Sequence, residues 1–168
     1  MQDYGRMKSD VERLQRAVGR PGGCSTEELS MEVKAVLRRC GWEAKRSPRQ
    51  ALRAGEDALR MGRRCRDVVL YNMMLNVCAK AAEGRDRDAL TKAFDLMSEM
   101  VESGMSPTLV SFNTLMNVCA KSRLRDSGLM GFARSYSVLE MMREAGVRPD
   151  AVTFTTMLDA CARCAAET

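Results

Sequence analysis

Histidine is absent from this sequence of 168 residues. Its absence excludes catalytic sites that use a histidine general base, and it excludes zinc sites of the mixed cysteine and histidine kind. Cysteine occurs seven times, an odd number without the dense spacing of a secreted disulfide scaffold, so we expect a reducing, intracellular compartment. The Asp and Glu residues form no cluster suited to Mg²⁺, and no nucleophile lies beside a base. We therefore expect no enzyme activity, no cofactor and no metal.

Aromatic residues, proline and long hydrophobic runs are also scarce. Aromatic residues make up 5% of the chain, and proline occurs four times. Few runs of β-branched residues are present, which disfavours a β-sandwich or barrel. No apolar run approaches the about 18 residues that a membrane-spanning helix needs, so we expect no membrane span. Residues 1–20 lack an apolar segment and resemble neither a signal peptide nor a transit peptide.

Positive charge is concentrated in the first part of the chain. The formal net charge is +5, with 16 Lys and Arg against 9 Asp and Glu in residues 1–66, and 11 against 13 in residues 67–168. A basic segment of this kind suits phosphate groups or an acidic partner. The remainder of the chain has no such bias.

The second half of the sequence is repetitive. Residues 69–80, 110–121 and 152–163 align with one another at offsets of 41 and 42, and each segment has a Val at its start and Cys-Ala followed by Lys or Arg at its end. Residues 94–107 and 136–149 align at an offset of 42 and share a Gly-x-x-Pro ending. Self-similarity at a fixed period is the signature of a repeat architecture.

Each repeat is predicted to form two helices. Apolar residues recur at helical spacing in both aligned segments. Gly104 and Gly146 are expected to end the second helices, because glycine adopts positive φ freely, and Pro107 and Pro149 then block continuation. Neither helix can bury its apolar stripe alone, so neighbouring helices must stack into an α-solenoid.

The first third is expected to add helices to the same stack. Ser25 and Glu28 have the spacing of a capping box, and Ser47–Pro48 is typical of a helix start. The predicted helices there span residues 6–19, 26–40 and 48–64. The sequence thus predicts one continuous all-α solenoid of about eight helices, divided into basic N-terminal helices with a degenerate repeat (1–66), two repeats (67–108 and 109–150) and a half repeat (151–168).

The recurring motif resembles the pentatricopeptide repeat. Its first helix begins Val-x-(Tyr/Phe)-Asn and ends Cys-Ala-Lys, and its second helix ends Met-x-x-x-Gly-x-x-Pro. The resemblance covers residues 67–164 well and residues 26–66 weakly. The period is longer than is usual in that family, and the excess falls between the helices at residues 81–91 and 122–131. We expect loop insertions there, which cost little stability and offer additional contact points.

The resemblance implies that the first helices bind single-stranded RNA, one base per repeat. In the family's pattern, the residue after the aromatic reads the base together with the last residue of the repeat. Asn113 paired with Asp150 implies a preference for uracil. Asn72 paired with Thr108 implies a weak preference for pyrimidines, and Thr155 has no repeat-end partner. The residues implied to sandwich the bases are Val69, Val110 and Val152.

A structural interpretation of the same polar residues is also open. Asn near a helix start often bonds to the backbone, and Thr108 and Asp150 directly precede predicted helices, where both suit the N-cap position. The sequence does not decide between base reading and capping.

A basic stripe is predicted on the helix at residues 48–64, because Arg53, Arg60 and Arg64 follow Arg49 by 4, 11 and 15 residues, and the four fall within about 60° of one another on a helix. By register this helix lies on the convex side, which suits docking on a large RNA. The alternative is a solvated face, on which Glu56 pairs with Arg53 and Arg60 and Asp57 pairs with Arg53. The residues predicted to contact phosphate are Lys45, Arg46, Arg49, Arg53, Arg60 and Arg64.

The last repeat segment is predicted to be a first helix without its second helix. We expect its apolar face to self-associate or to bind a partner protein. Cys161 and Cys164 are interpreted as packing residues rather than a metal or redox pair, because Cys161 aligns with the predicted core residues Cys78 and Cys119.

The sequence favours an RNA-binding or ribonucleoprotein-docking module, which the resemblance places in a mitochondrion or plastid. One alternative is a non-catalytic structural subunit of an organellar ribosome or other assembly, in contact with ribosomal RNA and other proteins. The net negative charge of residues 67–168 favours this alternative, since a phosphate-binding groove should be basic. A second alternative is the recognition arm of an RNA-processing enzyme.

Overall fold

The computed structural model describes residues 2–20, 24–122 and 128–165. Within these ranges the chain forms eight α-helices and no strand, and none of these helices is long and apolar enough to cross a membrane. The all-α class predicted from the sequence is confirmed. The helices are α1 (Gln2–Val18), α2 (Thr26–Glu43), α3 (Pro48–Gly62), α4 (Val68–Glu83), α5 (Ala89–Glu102), α6 (Leu109–Lys121), α7 (Gly128–Glu144) and α8 (Ala151–Ala165).

Helices α2 and α3 begin where the sequence predicts. The backbone N–H of Glu28 donates to the Ser25 hydroxyl, and the Glu28 carboxylate accepts from the Ser25 N–H, so the predicted capping box is confirmed. Ser47 occupies the N-cap position of α3 and Pro48 follows it, as predicted, but the Ser47 side chain makes no capping hydrogen bond. Pro48 alone explains the start of α3, because its ring fixes a helical φ and it has no N–H to satisfy.

Helices α5 and α7 end at the predicted glycines. Gly104 and Gly146 have φ values of 71° and 68°, in the left-handed region that glycine occupies without steric cost. At the end of α5, the N–H of Gly104 donates to the carbonyl of Val101 and the N–H of Met105 to that of Met100. These two bonds satisfy carbonyls that the helix itself leaves unpaired.

The helices pack as a continuous stack. Each of the first helices α2, α4 and α6 contacts the next first helix, and the second helices α3, α5 and α7 each contact the first helices on either side. Helix α1 packs against α2 and α3. The equivalent cysteines Cys40, Cys78 and Cys119 are buried, as expected of core positions. Burial also raises the pKa of each of these three thiols to about 12.

The predicted insertion between α4 and α5 is shorter than expected. Only residues 84–88 lie outside the two helices, whereas the sequence predicted a loop over residues 81–91. Alanine-rich flanks explain the difference, since alanine has the highest helix propensity and extends both helices into the polar segment. Of the second predicted insertion, residues 122–131, residues 123–127 lie outside the described part of the structure, and α7 already begins at Gly128.

Candidate nucleic-acid interface

One apolar side chain is exposed near the start of each first helix. Val69, Val110 and Val152 expose 49, 60 and 57% of their surface, although the aromatic side chains two residues later, Tyr71 and Phe112, are buried. Because α4, α6 and α8 pack side by side, equivalent positions lie on the same face of the stack. The residues predicted to sandwich bases therefore form an exposed apolar row, which we call the valine row.

The valine row continues onto α2 in a position that the sequence analysis missed. Met31 exposes 64% of its surface and lies nine residues before Cys40, just as Val69 lies nine residues before Cys78. Counting back from the buried cysteine would have found it. The degenerate repeat thus presents an apolar side chain at the same place as the repeats that follow.

Asn113 and Asp150 are brought together by the stacking of α6 against α8. The Asn113 Nδ2 donates to Asp150 Oδ1 over 3.1 Å, and the Thr153 hydroxyl donates to Asn113 Oδ1 over 2.6 Å. The Thr153 N–H also donates to Asp150 Oδ1, which caps α8 and is the main cause of the lowered pKa of Asp150. The carboxylate of Asp150 therefore both caps α8 and contacts Asn113.

The same connection recurs between α2 and α4 with different side chains. Lys34 lies six residues before Cys40, as Asn113 lies six before Cys119, and its Nζ is 2.8 Å from Asp67 Oδ2. The Asp67 carboxylate also accepts from the N–H of Val69 and so caps α4. Burial alone would raise the pKa of Asp67, but the hydrogen bonds from Lys34 and Val69 outweigh it and lower the pKa. This pair was not predicted from the sequence.

Asn72 and Thr108 are not joined in this way. Thr108 forms a capping box with Ser111, which occupies its hydroxyl. The Asn72 Oδ1 is buried and accepts no hydrogen bond within the described residues. A buried carbonyl without a partner costs roughly 1–3 kcal/mol. Thr155 is exposed, and its hydroxyl donates to the carbonyl of Ala151.

The basic stripe predicted on α3 is only partly present. Arg49, Arg53 and Arg60 are exposed on α3. Arg64 lies beyond the helix, because α3 ends at Gly62, and its guanidinium donates to the carbonyl of Cys24. The predicted extension of the helical stripe to Arg64 is therefore wrong.

The predicted ion pairs on α3 are also wrong in their partners. Glu56 pairs with Lys92 of α5, not with the arginines of its own helix. Asp57 lies 3.8 Å from Arg60 rather than pairing with Arg53. Arg53 forms no ion pair within the described residues. Fewer carboxylates therefore offset the positive charge of the α3 arginines than the sequence predicted.

The described residues show no group of three or more Cys, Asp or Glu side chains placed to hold a metal ion. Cys161 is half-buried on α8. The side chain of Cys164 lies outside the described part of the structure.

Comparison with known sequences identifies the repeats. The PPR repeat family matches residues 66–121, and a single PPR repeat matches residues 110–133. No individual curated protein matches the sequence. The family match supports a general RNA-binding role in RNA metabolism, and members of this family are generally non-catalytic adaptors.

Proposed function

Because residues 66–133 match pentatricopeptide repeats, we propose that the first helices of this chain bind single-stranded RNA in the RNA metabolism of a mitochondrion or plastid. The observation that carries the proposal is the valine row together with the polar side chains beside it. Val69, Val110 and Val152 are half-exposed apolar residues at equivalent positions, and Met31 extends the row to α2.

The valine row offers a stacking surface that does not depend on base identity. Every base has an apolar face, and the valines of adjacent helices present apolar surface to both sides of an inserted base. Burying apolar surface contributes about 25 cal/mol per Å². In this arrangement the row supplies affinity, and the neighbouring polar residues supply selectivity.

Base selection is proposed to be strongest at Asn113. Asp150 holds one N–H of the Asn113 amide and Thr153 donates to its oxygen, so the amide is fixed in orientation. The second N–H of Asn113 is left for a base edge. The lowered pKa of Asp150 keeps its carboxylate ionised at neutral pH, and this preserves its acceptor role. We propose that this site prefers uracil.

Base selection is proposed to be weaker at the other two positions. The Asn72 amide has no anchoring partner, and Thr108 is occupied as a cap. Because no partner fixes the orientation of this amide, we propose that Asn72 discriminates less between bases than Asn113 does. The Thr155 hydroxyl is already donated to the backbone, which leaves it only as an acceptor.

Asn113→Ala tests the base-reading proposal. Anisotropy of labelled U-rich and A-rich RNA should show that the variant loses most of the U-rich preference, by roughly 5-fold or more, since a good base-edge contact is worth about 1–3 kcal/mol. Gln15→Ala is the matched control, because it removes an exposed amide on α1, distant along the chain from the row. An unchanged preference in Asn113→Ala would contradict base reading and leave capping as the role of the network.

A second candidate function is a structural subunit that docks another protein, for example within an organellar ribosome. Phe154 and Leu158 of α8 expose 52 and 69% of their surface, whereas their equivalents in α4, Tyr71 and Leu75, are buried. The hydroxyl of Tyr71 donates to Glu99 of α5, so the second helix covers this face in a complete repeat. We propose that an amphipathic helix docks on the exposed face of α8 in the same way.

A synthetic peptide with the sequence of α5, residues 89–102, serves as a probe for this second candidate. It should bind the wild-type chain and fail to bind Leu158→Glu. Sedimentation of the chain alone reports whether a second copy occupies the face instead. Equal binding of the peptide to both proteins, or to neither, would contradict docking on α8.

A further inference from the structure

Two inter-helix turns meet at one edge of the stack. The turn between α2 and α3 (residues 44–47) and the turn between α4 and α5 (residues 84–88) approach each other at Gly84. A Cβ atom at Gly84 would lie 2.9 Å from the carbonyl oxygen of Lys45 and 3.1 Å from that of Ala44. Only a residue without a side chain permits this approach, so Gly84 brings the polar residues of the two turns together.

Four arginines surround the space between these turns. Arg46, Arg49, Arg85 and Arg87 line a cavity of about 290 Å³, and we call this group the arginine edge. The Nε of Arg49 lies 4.0 Å from Asp86, which is the acidic residue in the cavity lining. The other three arginines form no ion pair within the part of the chain that the structure describes.

Asp86 offsets one of these four positive charges, and its carboxylate is also held by the backbone. Its Oδ1 accepts from the N–H groups of Asp88 and Ala89 over 2.9 and 3.1 Å, which caps the start of α5. Its side chain is 3% exposed. The start of α3, at the same cavity, has no side-chain cap, so its first N–H groups remain available to an anion.

Other basic side chains of the repeats are neutralised within the fold. Glu83 binds both Lys45 and Lys121, at 2.7 and 3.4 Å. Arg63 binds Glu99 at 2.8 Å, and Lys92 pairs with Glu56. The arginine edge is therefore a local excess of positive charge, with three of its four arginines unpaired within the described residues, in a protein that pairs many of its basic residues.

The backbone at Arg85 is strained. The N–H of Arg85 donates to the carbonyl of Ala82, and the N–H of Asp86 donates to the carbonyl of Ala81. The ends of α5 and α7 have the same pair of hydrogen bonds at equivalent positions. Glycine stands at the left-handed position in α5 and α7, whereas here an arginine has a φ of 65°. A non-glycine residue in this geometry is disfavoured, and strain of this kind is typical of functional positions.

We infer that the arginine edge binds phosphodiester groups of the RNA, as a contact separate from the valine row. Guanidinium groups form forked hydrogen bonds to phosphate and keep their charge at any physiological pH. The edge lies at the far ends of α2 and α4 from Met31 and Val69, about 20 Å away at 1.5 Å per helical residue. A strand that crosses the row must therefore extend by several nucleotides to reach it. This inference rests on the proposed RNA binding, and it adds an affinity that is independent of base identity.

The double variant Arg46→Ala with Arg87→Ala tests the inference. Its affinity for labelled RNA is measured against salt concentration, with strands long enough to reach from the valine row to the edge. Each phosphate contact to a single strand contributes about 0.7 to the slope of log affinity against log salt, so the variant should lower the slope by about 1.4. The preference for U-rich RNA should not change. The control Arg6→Ala with Arg20→Ala removes the same charge from exposed residues near the N-terminus and should leave the slope unchanged.

The possible outcomes separate this inference from the proposed function. Wild-type binding with a U-rich preference but an unchanged slope in Arg46→Ala with Arg87→Ala would overturn the arginine edge alone. Equal slope losses in the test and control variants would also overturn it, since the effect would then be one of net charge. Failure of the wild type to bind any RNA would overturn both proposals.

Discussion

Replacing Arg85 with glycine should stabilise the fold, although it removes a charged side chain. Arg85 has a φ of 65° in a helix-ending geometry that carries glycine at Gly104 and Gly146. The left-handed conformation costs an L-residue roughly 1–2 kcal/mol. Glycine loses about 0.5–1 kcal/mol more chain entropy on folding, so the net gain should be about 0.5–1 kcal/mol.

Thermal unfolding followed by circular dichroism measures this gain. For a domain of this size, 1 kcal/mol corresponds to about 2–4 °C in Tm, so Arg85→Gly should raise Tm by about 1–4 °C. Arg87→Gly is the matched control. It lies in the same turn without a positive φ, so glycine there should lower Tm. If Arg85→Gly unfolds at or below the temperature of Arg87→Gly, the argument from strain is refuted.

The same variant separates function from stability. If the arginine edge binds phosphate, Arg85→Gly should bind RNA more weakly than the wild type while unfolding at a higher temperature. Weaker RNA binding caused by partial unfolding would instead be accompanied by a lower unfolding temperature. Full RNA affinity in a stabilised Arg85→Gly protein would mean that this arginine has no part in binding.

Three further predictions follow from contacts within the fold. Gly84→Ala should destabilise the chain by about 1–3 kcal/mol in urea unfolding, because its Cβ would press on the Lys45 carbonyl. The lowered pKa of Asp150 makes its carboxylate stabilising at neutral pH, so the stability advantage over Asp150→Asn should shrink as pH falls below about 4. Cys78 and Cys119, buried and with a pKa raised to about 12, should react with a thiol reagent at pH 8 only after unfolding.

The helices were predictable because their signals are local and repeated. Gly104 and Gly146 end their helices because glycine adopts a positive φ without steric cost, which is a property of the residue itself. The capping box of Ser25 depends only on Glu28, three positions away. The pairing of Asn113 with Asp150 was implied only by the resemblance, which couples the residue after the aromatic with the last residue of the repeat. The stack gives it a physical reason, because α6 packed against α8 brings these two side chains, 37 residues apart in sequence, into hydrogen-bond contact.

Contacts outside the register of the repeats were not predictable. Glu56 was expected to pair within its own helix, but it reaches Lys92 on α5, which depends on how the helices pack. The arginine edge depends on backbone contact at Gly84 between two turns about 40 residues apart, which no spacing rule signals. Met31 and Lys34 were missed because the degenerate repeat shares only its buried cysteine with the others.

The most direct test of the account is the binding of short labelled strands to the wild-type chain. Fluorescence anisotropy with U-rich RNA, A-rich RNA and the U-rich sequence as DNA, each across a salt series, separates base selection from charge. The account predicts tighter binding of U-rich than A-rich RNA, with a preference that persists at every salt concentration because it arises from Asn113 and not from charge. Equal binding of all three strands with a steep salt dependence, or no binding, would contradict the claim that the first helices read RNA bases.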